Sequence, residues 1–409
     1  MFLFSLLFAC KPEPTDPVQP AACEIAERET ITDENILAVV EGNQDFAFDL
    51  YEKLNGDASN LFLSPYSIST ALGMLQLGTQ TETETEMANV LGVFEPKQDW
   101  HAGQGAISQE LSLINNCDYQ INTANKVYSQ SGFGFEADYL EGLSSLYNSQ
   151  AEELDFGSDP EGARETINTW VSEQTMENIP DLIPAGVITG NTRMVLTNAI
   201  YMNAPWLEAF DPNDTYTGNF MLADGQTTPI EMMSNAEANI SVGYQDGFMV
   251  AEIPYKGEEL SLTVLLPNEA SGLPAIEEQL NAENWREWKG SLYQTDAMLG
   301  IPKMEMRYKK ELSETLKDLG MPSAFDPSIA DLNGIADGAG LFVSAVIHEA
   351  WLKFSEEGTE AAAATAVVVA DEAAMGEYII LDRPFLFAIE DKLSGSILFM
   401  GKVTDPSQL

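Results

Sequence analysis

The order of the predicted elements constrains the fold of this chain more than any other feature. Thr32 and Asp33 precede an apolar period typical of a capped helix, which we expect to run to about Leu54. Pro65 begins a second apolar stretch that predicts a helix buried on more than one face. Apolar runs of strand length come later. Helices early and strands late predict an α+β fold and not a βαβ alternation.

The last two strand-length runs are close together in the sequence. The runs are Leu260–Leu266, Phe385–Ile389 and Ile397–Met400. Asp391–Gly395 has the composition of a turn, so we expect the final two strands to form a hairpin.

Acidic residues greatly outnumber basic ones. The 409 residues include 65 Asp and Glu against 19 Lys and Arg, a formal net charge of −46. Nucleic acids and anionic lipid surfaces are therefore poor partner candidates, because binding to either depends on Lys and Arg. A polyanionic cofactor would need a basic patch that this composition does not supply. Hydrophobic residues make up 44% of the chain, which predicts a packed core.

The sequence lacks the motifs of most enzyme classes. His101 and His348 are its only histidines, so a three-histidine zinc site is impossible, and neither H-E-x-x-H nor C-x-x-C occurs. It has no G-x-S-x-G elbow and no Walker loop, and Gly132–Gly134 is a lone G-x-G. Unpatterned carboxylates are typical of a solvated surface and do not indicate an acidic hydrolase. We expect no metal, no cofactor and no catalytic residue.

The N-terminal residues indicate export. Residues 1–9 are almost wholly apolar, yet a bilayer span needs about 20 residues in a helix. We interpret them as a truncated signal sequence. Cys10 follows in a pattern that resembles the lipobox of bacterial lipoproteins, whose cysteine carries lipid, and a plain secretory peptide is the alternative. Both predict a protein outside the cytoplasm, secreted or anchored to the bacterial cell envelope, with membrane contact only through a lipid anchor.

Residues 10–30 have the composition of a tether. Four prolines between residues 11 and 20 favour an extended chain that does not pack. If Cys10 carries lipid, Cys23 and Cys117 remain, and an oxidising compartment would allow them to pair. Free thiols are the alternative.

Glu356–Glu377 is the most unusual segment. It has no proline, five alanines between residues 361 and 366, and three successive valines at residues 367–369. Composition alone favours an Ala-rich surface helix or linker. Small side chains followed by β-branched ones would also suit a segment that enters a sheet.

The residues flanking this segment decide between the two interpretations. Seven motifs occur in one order: Asn60–Ser69, Thr197–Tyr201 with Trp206 and Phe210, Ile253–Pro267, Ile301–Lys303, Val346–Ala350, Glu356–Ala362, and Arg383–Phe385 with Phe399–Val403. In this order, from about Asp33 to the C-terminus, they resemble the serpin family of serine protease inhibitors. We therefore expect one serpin domain over residues 31–409, with a reactive-centre loop at about 356–380.

The resemblance implies a fold and a mechanism. The fold would have three β-sheets, eight or nine helices and an exposed reactive-centre loop, and the protein would be a monomer without enzymatic activity. A serine protease, or a cysteine protease, would cleave the loop and form an acyl-enzyme. The cleaved loop would insert into the large sheet and trap the protease, so the native state would be metastable.

The predicted hinge of the loop suits insertion. The resemblance assigns it to Glu356, Gly358, Thr359, Glu360, Ala361, Ala362, Ala363 and Ala364. In a strand, Thr359, Ala361, Ala363 and Thr365 would share one face, and all four are small. Bulky or charged residues there would stall insertion. The alternative is a non-inhibitory serpin, a surface binding or chaperone-like protein, and the small-residue hinge argues against it.

The resemblance also implies a gate for sheet opening. His348 would lie between the central strands near Ser64, Ser67 and Asn198, and hydrogen bonds among them would hold the sheet shut. A buried core histidine is the alternative. Trp206 would lie near the point of loop insertion.

Two countings place the reactive bond differently. Counting forward from Glu356 with the usual spacing of the family places the bond at Glu372–Ala373, which is our prediction. Counting back from Pro384 places it at Ala373–Ala374. The first suits a glutamyl endopeptidase, and the second an elastase-like or subtilisin-like protease that accepts small side chains. An aspartate-preferring protease, acting after Asp371, ranks third.

Overall fold

The computed structural model describes residues 28–56, 59–114, 119–359 and 377–409. In these ranges nine α-helices occur: α1 (Glu34–Leu54), α2 (Pro65–Gln76), α3 (Thr81–Leu91), α4 (Lys97–Leu113), α5 (Ala137–Tyr147), α6 (Pro160–Gln174), α7 (Leu273–Glu277), α8 (Ala282–Gly290) and α9 (Ser313–Leu319). None of these described helices is long and apolar enough to cross a membrane.

Sixteen strands occur in the same ranges. They are β1 (Leu61–Leu63), β2 (Gln120–Thr123), β3 (Lys126–Gln130), β4 (Ala151–Leu154), β5 (Met194–Pro205), β6 (Tyr216–Met221), β7 (Thr227–Gln245), β8 (Phe248–Pro254), β9 (Leu260–Pro267), β10 (Tyr293–Pro302), β11 (Met304–Glu311), β12 (Ala345–Phe354), β13 (Gly358–Thr359), β14 (Glu377–Ile380), β15 (Phe385–Asp391) and β16 (Ser396–Val403). The predicted α+β fold is confirmed.

The first two helices begin where their capping residues predict. Asp33 is the N-cap of α1, and its carboxylate accepts hydrogen bonds from the backbone N–H groups of Asn35 and Ile36. Ser64 caps α2, and Pro65 occupies its first turn. Every residue of α2 is buried, which confirms the prediction of a helix buried on more than one face.

Hydrogen bonding joins the described strands into two sheets. The seven-stranded sheet has the order β11-β12-β13-β5-β3-β4, with β2 also paired to β5. The nine-stranded sheet has the order β1-β16-β15-β9-β8-β7-β10-β14, with β6 also paired to β7. The 19-residue β7 pairs with β6 near its start and with β8 at its end, so this sheet has two arms. Counted separately, the two arms and the smaller sheet are the three sheets expected. The predicted hairpin of β15 and β16 is confirmed.

Both faces of the seven-stranded sheet are covered. Its inner face packs on the main core with the helices and the larger sheet. Its outer face packs under α6 and the connector, which we define as residues 175–193 between α6 and β5. Any strand added to this sheet must therefore pass between two packed layers.

The predicted tether ends earlier than its composition indicates. Composition extends the tether to residue 30, but the Arg28 guanidinium is buried and binds both carboxylate oxygens of Asp391, at 3.0 and 3.1 Å, and Glu259 at 3.0 Å. The backbone N–H of Ile31 also donates to the carbonyl of Leu393. One arginine carries no hydrophobic pattern, and its buried partner lies far along the sequence, so composition could not show this attachment.

Candidate functional site

The site lies at the boundary between β5 and β12. We call this boundary the insertion gap. The two strands pair directly and in parallel, from Ala345–Trp351 on β12 to Val195–Tyr201 on β5. Past Trp351 and Tyr201, β13 lies between the two strands. Thr359 pairs with Phe354 on one side and with Ala204 on the other, antiparallel to both strands. The two residues of β13 thus occupy a strand position between β5 and β12.

Gly358 fits this position because it has no side chain. A Cβ atom on Gly358 would lie 2.3 Å from the carbonyl oxygen of Ala204 and 2.4 Å from the Cα of Pro205. Both contacts are with backbone, which cannot move aside cheaply. Any other residue at 358 would push β13 away from β5.

Thr359 is fully buried and hydrogen-bonded. Its hydroxyl lies 2.9 Å from the hydroxyl of Tyr255. Burial raises the pKa of Tyr255 far above its ordinary value, so the phenol keeps its proton. Tyr255 in turn stacks on Trp206, with 4.7 Å between ring centroids and 8° between ring planes.

Trp206 holds the backbone that leads into β13. Its indole N–H donates to the carbonyl of Ser355 at 2.9 Å, and its backbone N–H donates to the carbonyl of Glu357 at 3.0 Å. The Ser355 hydroxyl closes the turn by donating to the carbonyl of Gly358 at 2.9 Å. The ring and these bonds fix the path of the backbone from Ser355 to Gly358.

Glu356 anchors the same turn through its carboxylate. It lies 2.8 Å from the Lys303 ammonium and accepts a hydrogen bond from the Thr215 hydroxyl at 3.0 Å. Partial burial acts to raise the pKa of Glu356, but the hydrogen bonds from Lys303 and Thr215 hold it below its ordinary value. The carboxylate is therefore ionised at neutral pH.

A polar cluster crosses the insertion gap on the inner face. His348 and Asn198 are register partners, and the Nδ1 of His348 is hydrogen-bonded to the Oδ1 of Asn198. The His348 Nε2 accepts from the backbone N–H of Ser64 at 3.2 Å, which assigns the ring proton to Nδ1. Burial lowers the pKa of His348 to about 3, so the ring is neutral.

The cluster continues beneath the sheet to α2. The Asn198 amide donates to the Ser67 hydroxyl and to the side-chain oxygen of Asn125, both at 2.7 Å. The Ser64 hydroxyl donates to the carbonyl of Leu398 at 2.6 Å. Strands β5 and β12 are therefore joined to each other and to the helix below them by buried hydrogen bonds.

Comparison with known proteins identifies the family. The model for "Serpin (serine protease inhibitor)" matches residues 41–406. The chain belongs to the serpin family. A leukocyte elastase inhibitor of Xenopus tropicalis is 34% identical over 369 residues, covering 88% of this chain and 97% of its own. Human serpin B3 is 35% identical over 387 residues, covering 90% and 99%.

Relatives also occur outside vertebrates. An uncharacterized serpin-like protein of Methanosarcina acetivorans is 33% identical over 373 residues, covering 90% of this chain and 86% of its own.

Among solved structures, uncleaved ovalbumin has a TM-score of 0.81 at 27% identity, covering 90% of this chain and 100% of its own. Serpin48 of Tenebrio molitor has a TM-score of 0.80 at 30% identity, covering 91% and 98%. These relatives are eukaryotic and archaeal, and the bacterial lipoprotein interpretation stays a prediction.

The structure brings Ser64, Ser67, Asn198 and His348 together in one hydrogen-bonded cluster. Trp206 lies apart from this cluster, against the turn that leads into β13, and two further residues join the site. Asn125 bonds to both Ser67 and Asn198, and Tyr255 bonds to Thr359. Sequence reasoning missed both. Asn125 lies in the break between β2 and β3, and nothing local distinguishes it from other asparagines nearby. Tyr255 lies in the Ile253–Pro267 motif, but only the fold shows which strand its hydroxyl meets.

Several predicted residues lie outside the described ranges. They are Glu360 and Ala361, Ala362, Ala363 and Ala364 of the hinge, the bond residues Glu372, Ala373 and Ala374, and Cys10, Cys23 and Cys117. Their roles stay predictions.

Proposed function

We propose that this serpin inhibits serine endopeptidases as a suicide substrate, with cysteine endopeptidases as a further target class. The protease nucleophile attacks the carbonyl carbon of Glu372, the amine of Ala373 leaves, and an acyl-enzyme forms. The freed segment then inserts into the gap between β5 and β12. Insertion displaces the bound protease before water can hydrolyse the ester.

The antiparallel pairing of β13 with both β5 and β12 is the observation that carries this proposal. If the segment continues from Thr359 in the same register, each residue replaces one parallel contact between β5 and β12 with two antiparallel contacts. Antiparallel pairing is slightly more stable per residue, and the number of backbone hydrogen bonds increases. Insertion is therefore favourable once the gap opens.

The face of the incoming strand supports the same conclusion. Thr359, Phe354 and Ala204 are register partners, so they share the inner face of the sheet. Alternation then directs Ala361, Ala363 and Thr365 toward the main core, where only small residues fit without displacing packed side chains.

The finer parts of the proposal concern target and location. Relatives named leukocyte elastase inhibitor support an elastase-like target, which would suit the Ala373–Ala374 bond. Glu372–Ala373 would suit a glutamyl endopeptidase, and a subtilisin-like protease is the third class in the test. We propose a monomer that acts outside the cytoplasm, secreted or held by lipid on Cys10.

The test incubates the full chain with one protease of each class and examines the products on denaturing gels and by mass spectrometry. We expect a band at the summed mass of the two proteins that survives detergent, and a released C-terminal fragment whose first residue identifies the cleaved bond. Cleavage by all three proteases without such a band would overturn the inhibitory proposal and favour a surface binding protein.

A further inference from the structure

A buried carboxylate lies on the outer face of the sheet, away from the His348 cluster. Glu349 on β12 has a side chain that is 1% exposed. Its two oxygens lie 2.9 Å from the Arg307 guanidinium and 2.9 Å from the Lys309 ammonium, both on β11. A buried carboxylate costs free energy unless it is paired with cations, so the two ion pairs fix the positions of Arg307 and Lys309 relative to Glu349.

The same two cations reach a second element. Arg307 donates through its other terminal nitrogen to the backbone carbonyl of Asn178 at 2.7 Å, and Lys309 donates to the carbonyl of Asp181. Both acceptors belong to the connector. Arg307, Lys309 and Glu349 thus tie the connector to β11 and β12, and we call these three residues the clasp.

The connector is fixed independently at its other side. Arg164 of α6 donates to Asp181 and to the carbonyl of Ile183, each at 3.0 Å. Asn168 of α6 accepts from the N–H of Ile183 at 2.8 Å and donates to its carbonyl at 3.0 Å. The connector also continues directly into β5. It therefore moves with α6 and β5, while the clasp belongs to β11 and β12.

These attachments lie on opposite sides of the insertion gap. The sheet order places β5 on one side of the gap and β12 followed by β11 on the other. Adding a strand separates the two sides by about 4.8 Å, the usual spacing between paired strands. Hydrogen bonds from Arg307 and Lys309 to the connector cannot stretch that far and must break. The bonds within the clasp can survive, because β11 and β12 can move together.

We propose that the clasp is a latch that sets the rate at which the gap opens, with Glu349 as the positioning residue that aims both cations at the connector. This inference rests on loop insertion as the working motion of the proposed function. Weakening the latch speeds opening, and a stronger latch delays insertion after cleavage and gives water more time to release the protease.

The test measures opening without any protease. A synthetic peptide with the sequence of residues 359–370 is added in excess to the intact protein, and its stable incorporation is followed by native gel and mass spectrometry. The latch variant is Glu349→Gln combined with Arg307→Gln and Lys309→Gln, which removes the bonds and leaves no unpaired buried charge. We expect incorporation about threefold to tenfold faster than in the unmodified protein.

Two further variants separate the latch from general destabilisation. Arg307→Lys keeps the charge beside Glu349 but loses the second terminal nitrogen, which donates to the carbonyl of Asn178. We therefore expect a smaller acceleration of peptide incorporation. Glu314→Gln with Lys317→Gln removes an exposed ion pair on α9, whose atoms lie 2.7 Å apart, and should leave the rate unchanged.

Thermal unfolding of the native and the loop-cleaved forms gives the second readout. In the cleaved, inserted form the bonds to the connector are already broken, so we expect the latch variant to lower the native midpoint more than the cleaved one. An unchanged incorporation rate, or equal losses in both forms, would overturn the latch. If the peptide incorporates with the expected rates while no protease is trapped, the proposed inhibitory function fails and the latch stands.

Discussion

His348 on β12 and Asn198 on β5 face each other across the insertion gap and are joined by a side-chain hydrogen bond. In the proposed insertion, the segment that follows Thr359 passes between them. Thr359 pairs with Phe354 on β12 and with Ala204 on β5. Thr365 lies six residues after Thr359, and His348 and Asn198 lie six residues before Phe354 and Ala204. A strand that continues in register therefore brings the Thr365 hydroxyl between the two groups whose bond it separates.

Replacing Thr365 with valine should destabilise the inserted form alone. A hydroxyl at this position can donate to Asn198 or accept from His348, whereas valine would leave both buried groups unsatisfied. We expect the cleaved protein to lose about 1 to 3 kcal/mol of unfolding free energy, while the uncleaved protein is unchanged. Guanidinium unfolding of both forms measures this, and Thr365→Ser is the matched control. Equal stability of the valine and serine variants after cleavage would show that the register differs.

The pH dependence of native stability should report the buried histidines. Burial lowers the pKa of His348 to about 3 and that of His101 to about 4. The unfolded chain protonates histidine near pH 6.5. As the pH falls below about 6.5, the histidines bind protons in the unfolded state but not in the folded state. The free energy of unfolding therefore decreases until the pH reaches the pKa values of the folded state. The expected slope is at most about 1.4 kcal/mol per pH unit for each histidine.

His348→Gln separates the two contributions. Glutamine stays neutral, so the slope between pH 6.5 and 5 should fall by about half, with His101 supplying the remainder. Urea unfolding at half-unit pH steps measures the slope. The carboxylates are the same in both proteins, so their contribution cancels from the difference between the two slopes. An unchanged slope in the glutamine variant would contradict the neutral, buried state of His348.

The sequence predicted the backbone elements better than their side-chain contacts. Capping at Asp33 and the turn at Asp391–Gly395 act locally, so their signals lie within a few residues. The clasp and Asn125 depend on long-range contacts: Glu349 meets Arg307 only because β11 and β12 are neighbours. Carboxylates are common in this chain, so nothing in the sequence distinguishes a buried one.

Substituting Gly358 by alanine should impair insertion at its first step. The new Cβ would meet the backbone of Ala204 and Pro205 at 2.3 to 2.4 Å, so β13 must leave the sheet. We expect more cleavage per protease molecule inhibited, because delayed insertion lets the acyl-enzyme hydrolyse. Titration of residual protease activity gives this ratio. Gly290→Ala is the control, since a Cβ there meets no atom within 4 Å. An unaltered ratio for the Gly358 variant would mean that β13 is dispensable for insertion.

A charge on the inner face of the segment proposed to insert should abolish the proposed inhibition and leave the protein a substrate of the protease. In the register that starts at Thr359, Ala363 falls between Ala350 and Ile200, two buried apolar residues of the main core. Ala363→Arg would bury an unpaired guanidinium there, so insertion should stop at this residue. We expect cleavage at the normal bond with loss of the covalent complex on denaturing gels. Glu360→Arg is the matched control, because residue 360 falls on the opposite face and already carries a charge. Persistent complexes with Ala363→Arg would mean that partial insertion traps the protease, and equal loss with Glu360→Arg would mean that the added charge acts before insertion.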